Sequence, residues 1–215
     1  PPRSTLFPYT TLFRSVAGTL RIENLSCVNT GTIALAGDLV SLVTTGDPSA
    51  TGTIRFNGTG NQSMNAASGT GCISAMIEIN KVSGTLTLAD TIKLYGNWTW
   101  TAGTVDAGSS CIIFSGYNRS VSSGTMVFND VTLNMTNGSA MYVLTITGTM
   151  KIDGTLKLEK VAQINGAVEA SGDIVTTNVK YTSGSYATGT VSLVGDANQT
   201  VGAQGGSGTI PASMP

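Results

Sequence analysis

The 215-residue sequence contains no histidine, and only 11% of its residues are charged. The absence of histidine removes the most common general base and the most common metal ligand of proteins. A formal net charge of −1 argues against a nucleic-acid or anionic-membrane partner, because both need basic surface patches. No apolar run approaches the ~18 residues that a membrane-spanning helix requires. The composition therefore points away from histidine-based catalysis, nucleic-acid binding and a membrane span.

Proline and cysteine are also scarce. Residues 49–210 contain no proline, which suits a chain whose amides are needed in β-ladders. Cys27, Cys72 and Cys111 form no Cys-x-x-Cys pair, so a zinc site is unexpected. Two alternatives remain for these residues: a Cys27–Cys72 disulfide that leaves Cys111 free, or three small apolar side chains in the core. We expect neither a metal site nor a cofactor.

The beginning of the chain differs in composition from the rest. Two of the five phenylalanines and three of the six prolines lie in residues 1–15. Residues 5–15 (Thr-Leu-Phe-Pro-Tyr-Thr-Thr-Leu-Phe-Arg-Ser) resemble, at all eleven positions, the in-frame translation of a widely used short-read sequencing adapter. The resemblance implies that residues 1–15 are an artefact of shotgun, metagenomic assembly and are not native. We therefore expect residues 16–215 to be a repeat fragment of a longer protein.

One pentad recurs through the rest of the chain: Gly, Thr, an apolar residue, any residue, then an apolar or small residue. Its copies begin at Gly18, Gly31, Gly52, Gly84, Gly103, Gly124, Gly148, Gly154, Gly189 and Gly208. Glycine gives the backbone freedom for a corner, and the next four residues alternate as in a half-buried strand. No segment shows sustained helical periodicity. The sequence therefore predicts an all-β fold.

A longer pattern overlays the pentads. Segments 56–64, 114–121 and 193–201 resemble one another, with asparagines at Asn61, Asn118 and Asn198 that are 57 and 80 residues apart. These separations equal about three and four turns of a ~20-residue coil. Short repeats that cannot bury their own core must stack on their neighbours, so the sequence predicts a parallel β-solenoid (β-helix) of about ten short coils. Repeats of a β-sandwich are the alternative, because short strands with glycine-rich turns also suit that fold.

The repeats resemble those of a known group of proteins. The pentads, with Gly-Asn-Trp-Thr at 96–99 and Phe-Asn-Asp-Val-Thr-Leu at 128–133, are similar to bacterial secreted β-strand-repeat surface proteins. These include adhesins with filamentous-haemagglutinin-like and autotransporter-passenger-like repeats, and the resemblance covers nearly all of residues 16–215. It implies an extracellular or cell-surface location and a structural or adhesive role as a stalk, without catalytic residues. The partners it implies are surface glycans, host or matrix components, and neighbouring repeats of the same longer chain.

Trp98 and Trp100 are the candidate ligand-binding residues. They are two positions apart in a predicted strand and so lie on the same side of it. If they face outward, they form a platform on which sugar rings can stack. If they face inward, they belong to the core beside Leu94, and the strand alternation favours this arrangement. A carbohydrate-binding module depends on the outward arrangement.

Two further functions remain as alternatives. A polysaccharide-degrading β-helix needs carboxylates that converge on one cleft, and neighbouring coils could supply them, for instance through Asp153 and Asp173. The twelve acidic residues are scattered, however, and have no basic cluster to support them, so the sequence predicts solvated turn positions and no enzyme. Aligned Thr-x-Thr motifs, such as 85–87 and 145–147, leave an ice-binding solenoid as a minor alternative. The uneven spacing of the repeats counts against it.

Overall fold

The computed structural model of the chain describes residues 14–23, 28–67, 69–137, 140–161, 163–177 and 189–203. The residues that it describes form 22 strands and no helix. In chain order the strands are β1 (Arg14–Val16), β2 (Leu20–Ile22), β3 (Thr32–Leu35), β4 (Leu39–Ser41), β5 (Thr53–Phe56), β6 (Gln62–Asn65), β7 (Thr70–Ile73), β8 (Met76–Leu88), β9 (Thr91–Leu94), β10 (Trp98–Asp106), β11 (Cys111–Ser115), β12 (Arg119–Ser122), β13 (Val127–Phe128), β14 (Asp130–Asn134), β15 (Thr136–Asn137), β16 (Ala140–Met141), β17 (Val143–Ile152), β18 (Leu156–Lys160), β19 (Gln163–Ala170), β20 (Ile174–Thr176), β21 (Thr190–Leu193) and β22 (Val201–Ala203).

The strands wind into a parallel β-solenoid with three faces. Face 1 contains β1, β3, β5, β12 and the first halves of β8, β10, β17 and β19. Face 2 contains the second halves of these four long strands together with β2, β4, β6, β13 and β21. Face 3 is a separate seven-stranded sheet of β7, β9, β11, β14, β18, β20 and β22. The predicted solenoid is confirmed, and its parallel ladders exclude the β-sandwich.

One described strand pair is antiparallel, the short hairpin of β15 and β16. It lies between faces 3 and 1 and leaves the parallel ladders of both faces continuous, since β14 pairs with β18 and β12 pairs with β17. At the other end of the described chain, β1 pairs in parallel with β3. The first described strand thus includes Arg14 and Ser15 from the segment that resembles an adapter, while residues 1–13 lie outside the described residues.

The core lies inside the solenoid, where inward side chains stack in columns from turn to turn. One column on face 1 is built by the paired residues Ile54, Ile77, Trp98, Val121 and Ile146. A second, on face 3, is built by Ile92, Ile112, Val131, Leu156 and Ile174. All of these side chains are buried. The apolar–polar alternation of each strand therefore gives every turn the same inward positions.

The solenoid has about seven turns, fewer than the ten coils that the sequence predicts. The pentads overestimate the number because they mark corners and not turns. Most of the pentad glycines that the structure describes precede face 2, but Gly31 and Gly52 precede face 1, and Gly154 precedes face 3. Gly208 lies outside the described residues. Gly148 and Gly154 consequently belong to the same turn.

The three longer segments also lie at different corners. Segment 56–64 connects face 1 to face 2, segment 114–121 connects face 3 to face 1, and segment 193–201 connects face 2 to face 3. Their separations are therefore not whole numbers of turns, and the predicted three and four turns between them are wrong. The same local sequence produces the bend between any two faces.

Two of these corners are closed by the same glutamine arrangement. The side-chain Oε1 atoms of Gln62 and Gln199 each accept a hydrogen bond, at 3.1 Å, from the backbone N–H of the glycine four residues earlier. Their Nε2 atoms donate to two backbone carbonyls of the preceding turn, at distances between 2.5 and 2.9 Å. Arg119 has this position at the third corner, where its Nη2 donates to the carbonyl of Pro48 at 2.7 Å. The glutamine amides thus bind the carbonyls of Gly37 and Gly172, and they share those of Leu35 and Ala170 with a backbone N–H of the next turn.

Candidate functional site

Trp98 is part of the core. Its side chain is fully buried, and its ring centroid lies 5.5 Å from that of Phe128 in a tilted contact. Its indole N–H points to the sulfur of Met126, with 3.2 Å between the nitrogen and the sulfur. Trp98 therefore offers no ring face to a ligand, and the platform of two tryptophans is not formed.

Trp100 points to the same side of β10 but is only half-buried. The indole Nε1 donates to the carbonyl of Gly103 at 3.0 Å, which fixes the orientation of the ring. Gly124 packs so closely against one side of the ring that an added Cβ would overlap it. Of the two tryptophans, Trp100 alone reaches the surface, and it does so in a fixed orientation.

Trp100 reaches the surface because the ladder between two turns is interrupted. β10 pairs with β12 only at Trp98 and Thr99. On face 2, the segment 104–106 of β10 pairs with β8, whereas β13 pairs with β17. No pairing among the described residues connects β10 to β13, so face 2 opens between them. The strand β10 also shifts register twice against β8, between Trp100 and Thr104, where it rounds the corner.

A groove of about 480 Å³ fills this opening. Its lining combines the half-buried Trp100 and apolar side chains, including Val105 and Val127, with polar groups. We call it the Trp100 groove, and its polar side chains are Thr104, Asp106, Thr125, Asn129 and Asp153. The carboxylates of Asp106 and Asp153 are exposed, and Oδ1 of Asp106 accepts the N–H of Gly108 at 3.0 Å. The buried Met126 and Phe128 lie beneath these groups. The volume is within the range typical of small-molecule sites.

Most corner carboxylates have structural partners. Oδ1 of Asp38, Asp130 and Asp173 each accepts a backbone N–H from the next turn, at 2.6, 2.6 and 2.7 Å. The amide oxygens of Asn97 and Asn118 do the same at 3.0 and 2.9 Å. These side chains connect consecutive turns at their corners and do not converge on one cleft.

Asp153 and Asp173, which the sequence offers as a pair from neighbouring coils, are not opposite each other. The ladders pair Ile152 with Ala170 and Leu156 with Ile174, so the two aspartates are offset along the corner. Among the described residues, no three His, Cys, Asp or Glu side chains form a metal-binding group. None of the described residues forms a helix with the length and apolarity of a membrane span.

Cys72 and Cys111 are free thiols in two different strands of face 3. Cys72 is buried and donates to the carbonyl of Thr44 at 2.9 Å, whereas Cys111 is half-buried. Burial raises the pKa of both thiols above the ordinary value. Burial therefore favours the protonated form of both thiols. Cys27 lies outside the described residues.

Threonines do not form a continuous array on face 1. The outward column that contains Thr99 and Thr147 also contains Arg55, Glu78 and Ser122. Arg55 and Glu78 form an ion pair of 2.8 Å within this column. The regular spacing of hydroxyl groups that ice binding would need is thus interrupted by charged side chains.

Lys81 is a structural residue that the sequence does not single out. It lies at the corner between faces 1 and 2 and is only 2% exposed. Its ammonium donates to the carbonyls of Gly58 and Gly60 and to Oε1 of Gln62, at 2.6, 2.9 and 2.6 Å. Burial lowers the pKa of this ammonium. The sequence carries one signal for this burial. Lys81 follows Ile79 by two residues and so continues the inward positions of β8.

No family model matches the chain, and no curated protein and no solved structure matches it either.

Proposed function

We propose that the chain is a non-catalytic structural or adhesive segment, a stalk, of a secreted bacterial surface protein. The observation that carries this proposal is the stacking of parallel turns around a continuous apolar interior, from Ile54 to Ile146 on face 1. Such an architecture extends by adding turns and needs no other structure to maintain its cross-section. This property suits a segment that separates other domains of a longer protein.

The corners support the same role. Bends are the weak points of a solenoid, because backbone groups leave the ladders there. In this chain, the side chains of Asp38, Asn97, Asn118, Asp130 and Asp173 bind backbone N–H groups of the next turn. Each bond connects residues 23 to 27 positions apart, so it resists separation of neighbouring turns. Carboxylates used in this way are structural, which favours a role without catalysis.

The proposed location is extracellular or at the cell surface. It rests on the resemblance of the pentads and of segments 96–99 and 128–133 to bacterial β-strand-repeat surface proteins, and on the solenoid fold that such proteins share. Surface glycans, host or matrix components and neighbouring repeats are the partners that this location implies.

A surface-display experiment tests the proposal. The full chain is placed between a membrane anchor and a fluorescent domain, and the height of the fluorophore above the membrane is measured. A stalk gives a narrow height distribution that widens when Val121→Asp places a charge in the core. A broad distribution for the unaltered chain would contradict the proposal. Release of reducing sugars from a polysaccharide panel would contradict its non-catalytic part.

A further inference from the structure

We propose that the Trp100 groove binds an uncharged sugar chain, with one pyranose ring stacked on the indole of Trp100 and its hydroxyls bound by Asp106, Asn129 and Asp153. This inference is independent of the stalk function, because the groove is a local feature of two turns.

The ring of Trp100 is prepared for stacking. Its indole nitrogen is held by the carbonyl of Gly103, and Gly124 packs closely against its six-membered ring. A ligand therefore does not have to order this side chain on binding, which reduces the entropic cost. The apolar C–H face of a pyranose fits an indole face in the way that other flat, weakly polar surfaces do.

The polar groups of the groove match sugar hydroxyls. The carboxylates of Asp106 and Asp153 can only accept hydrogen bonds, and the amide of Asn129 both donates and accepts. The Nδ2 atom of Asn129 donates to the carbonyl of Ser110 at 3.1 Å, which orients this amide at the rim. Hydrogen bonds between hydroxyl groups and carboxylates are among the stronger ones.

The charge of the lining selects between classes of sugar. Asp106 and Asp153 are acidic, and no Lys or Arg lines the groove. A uronic-acid chain would place further carboxylates beside them, and like charges repel. The groove therefore favours neutral sugars over acidic ones.

Paired strands border the opening on both sides. Residues 104–106 of β10 pair with β8, and β13 pairs with β17. Thr104 and Asp106 are therefore held in a paired strand, whereas Thr125, Asn129 and Asp153 lie in the turns next to β13 and β17.

Titration of the full chain with neutral hexasaccharides (cellohexaose, mannohexaose and xylohexaose) tests the inference, with tryptophan fluorescence and calorimetry as readouts. We expect at least one of them to bind and to change the emission. Trp100→Ala should weaken its affinity about tenfold, because the stacking contact is lost. Asp153→Ala, at an exposed position, should weaken it about fivefold through the lost hydrogen bond.

Asp196→Ala is the matched control, because Asp196 is exposed and lies outside the groove. It should leave the affinity unchanged, and hexagalacturonate should bind more weakly than the neutral sugar. The inference is overturned if none of the neutral sugars binds, if Asp153→Ala and Asp196→Ala have equal effects, or if hexagalacturonate binds as tightly. If Trp100→Ala does not fold, the comparison of the two aspartate variants decides the question.

Discussion

The ammonium nitrogen of Lys81 lies 2.6 Å from Oε1 of Gln62, inside the corner where face 1 turns into face 2. Gln62 belongs to the preceding turn, and its Nε2 donates to carbonyls of the turn before that. Three consecutive turns are thus connected by two buried polar side chains. Every donor of the ammonium has an acceptor, which is the condition under which a buried lysine is tolerated.

Replacing Lys81 by methionine should destabilise the fold. The apolar part of the side chain is kept, but the buried carbonyl of Gly58 and the carbonyl of the exposed Gly60 lose their donor. We expect the free energy of unfolding to fall by about 2 kcal/mol in a urea titration. Lys160→Met, at an exposed position, should change it by less than about 0.5 kcal/mol. Equal effects of the two substitutions would show that the contacts of Lys81 are unimportant.

The same lysine makes stability depend on pH. Burial lowers the pKa of Lys81 in the folded chain below the ordinary value of 10.5, so the unfolded chain binds the proton more tightly. The free energy of unfolding should therefore gain a contribution from Lys81 as pH rises from the folded pKa towards 10.5, and lose it as pH falls.

The difference in unfolding free energy between the unaltered chain and Lys81→Met isolates this contribution. The thiols of Cys72 and Cys111 have raised pKa values and act in the opposite direction, but they are present in both proteins. We expect the difference to widen between pH 7 and about 10. A constant difference over that range would mean that the pKa of Lys81 is not lowered.

Two corner glycines should respond differently to alanine. Gly84 and Gly148 both have positive φ angles, of 71° and 80°. A Cβ at Gly84 would overlap the carbonyl oxygen of Gly60, whereas nothing lies within 4 Å of a Cβ at Gly148. Gly148→Ala should cost about 1 kcal/mol for the left-handed backbone alone. Gly84→Ala should cost clearly more, and thermal unfolding of both variants checks the order.

The amide ladder at the corners can be tested at Asn97. Its Oδ1 accepts the N–H of Ser120 from the next turn at 3.0 Å. Asn97→Ala leaves this half-buried N–H without its acceptor and should lower the free energy of unfolding by about 1 kcal/mol. Asn57→Ala, at an exposed position, provides the control. If both variants unfold at the same denaturant concentration, the corner bonds do not contribute to stability.

The two tryptophans should differ in their access to solvent. Trp100→Phe leaves Trp98, which is fully buried, so its emission should be shifted to the blue and resist iodide. Trp98→Phe leaves the half-buried Trp100, whose emission should be quenched more strongly. Iodide titration of both variants measures this difference. Equal quenching constants would contradict the burial of Trp98.

The strands could be predicted from the sequence because their signal is local. In Thr-Leu-Thr-Leu at 85–88, the alternation alone decides which side chains enter the core, and the glycine before it marks the corner. The number of turns could not be obtained in the same way. Gly148 and Gly154 begin pentads of the same pattern, yet one precedes face 2 and the other face 3. The pentad predicts that the chain bends at the glycine, but it does not predict which two faces the bend connects.

The candidate site could be predicted only in part. Alternation puts Trp98 and Trp100 on the same side of β10, and the structure agrees. Their different burial depends on the register of β10 against β12 and β8, where the ladder ends after Thr99. This register relates residues more than 20 positions apart, so a local pattern does not predict it. The pairing of distant strands also brings Asp106 and Asp153 to the same groove.

Backbone proton contacts measured by NMR show directly whether the chain stacks parallel turns in a fixed register. We expect cross-strand contacts from Ile77 to Trp98, from Trp98 to Val121 and from Val121 to Ile146, all in the same direction along the chain. Contacts that run in opposite directions between these segments, as in an antiparallel sandwich, would contradict the solenoid fold and the hydrogen bonds assigned to its corners.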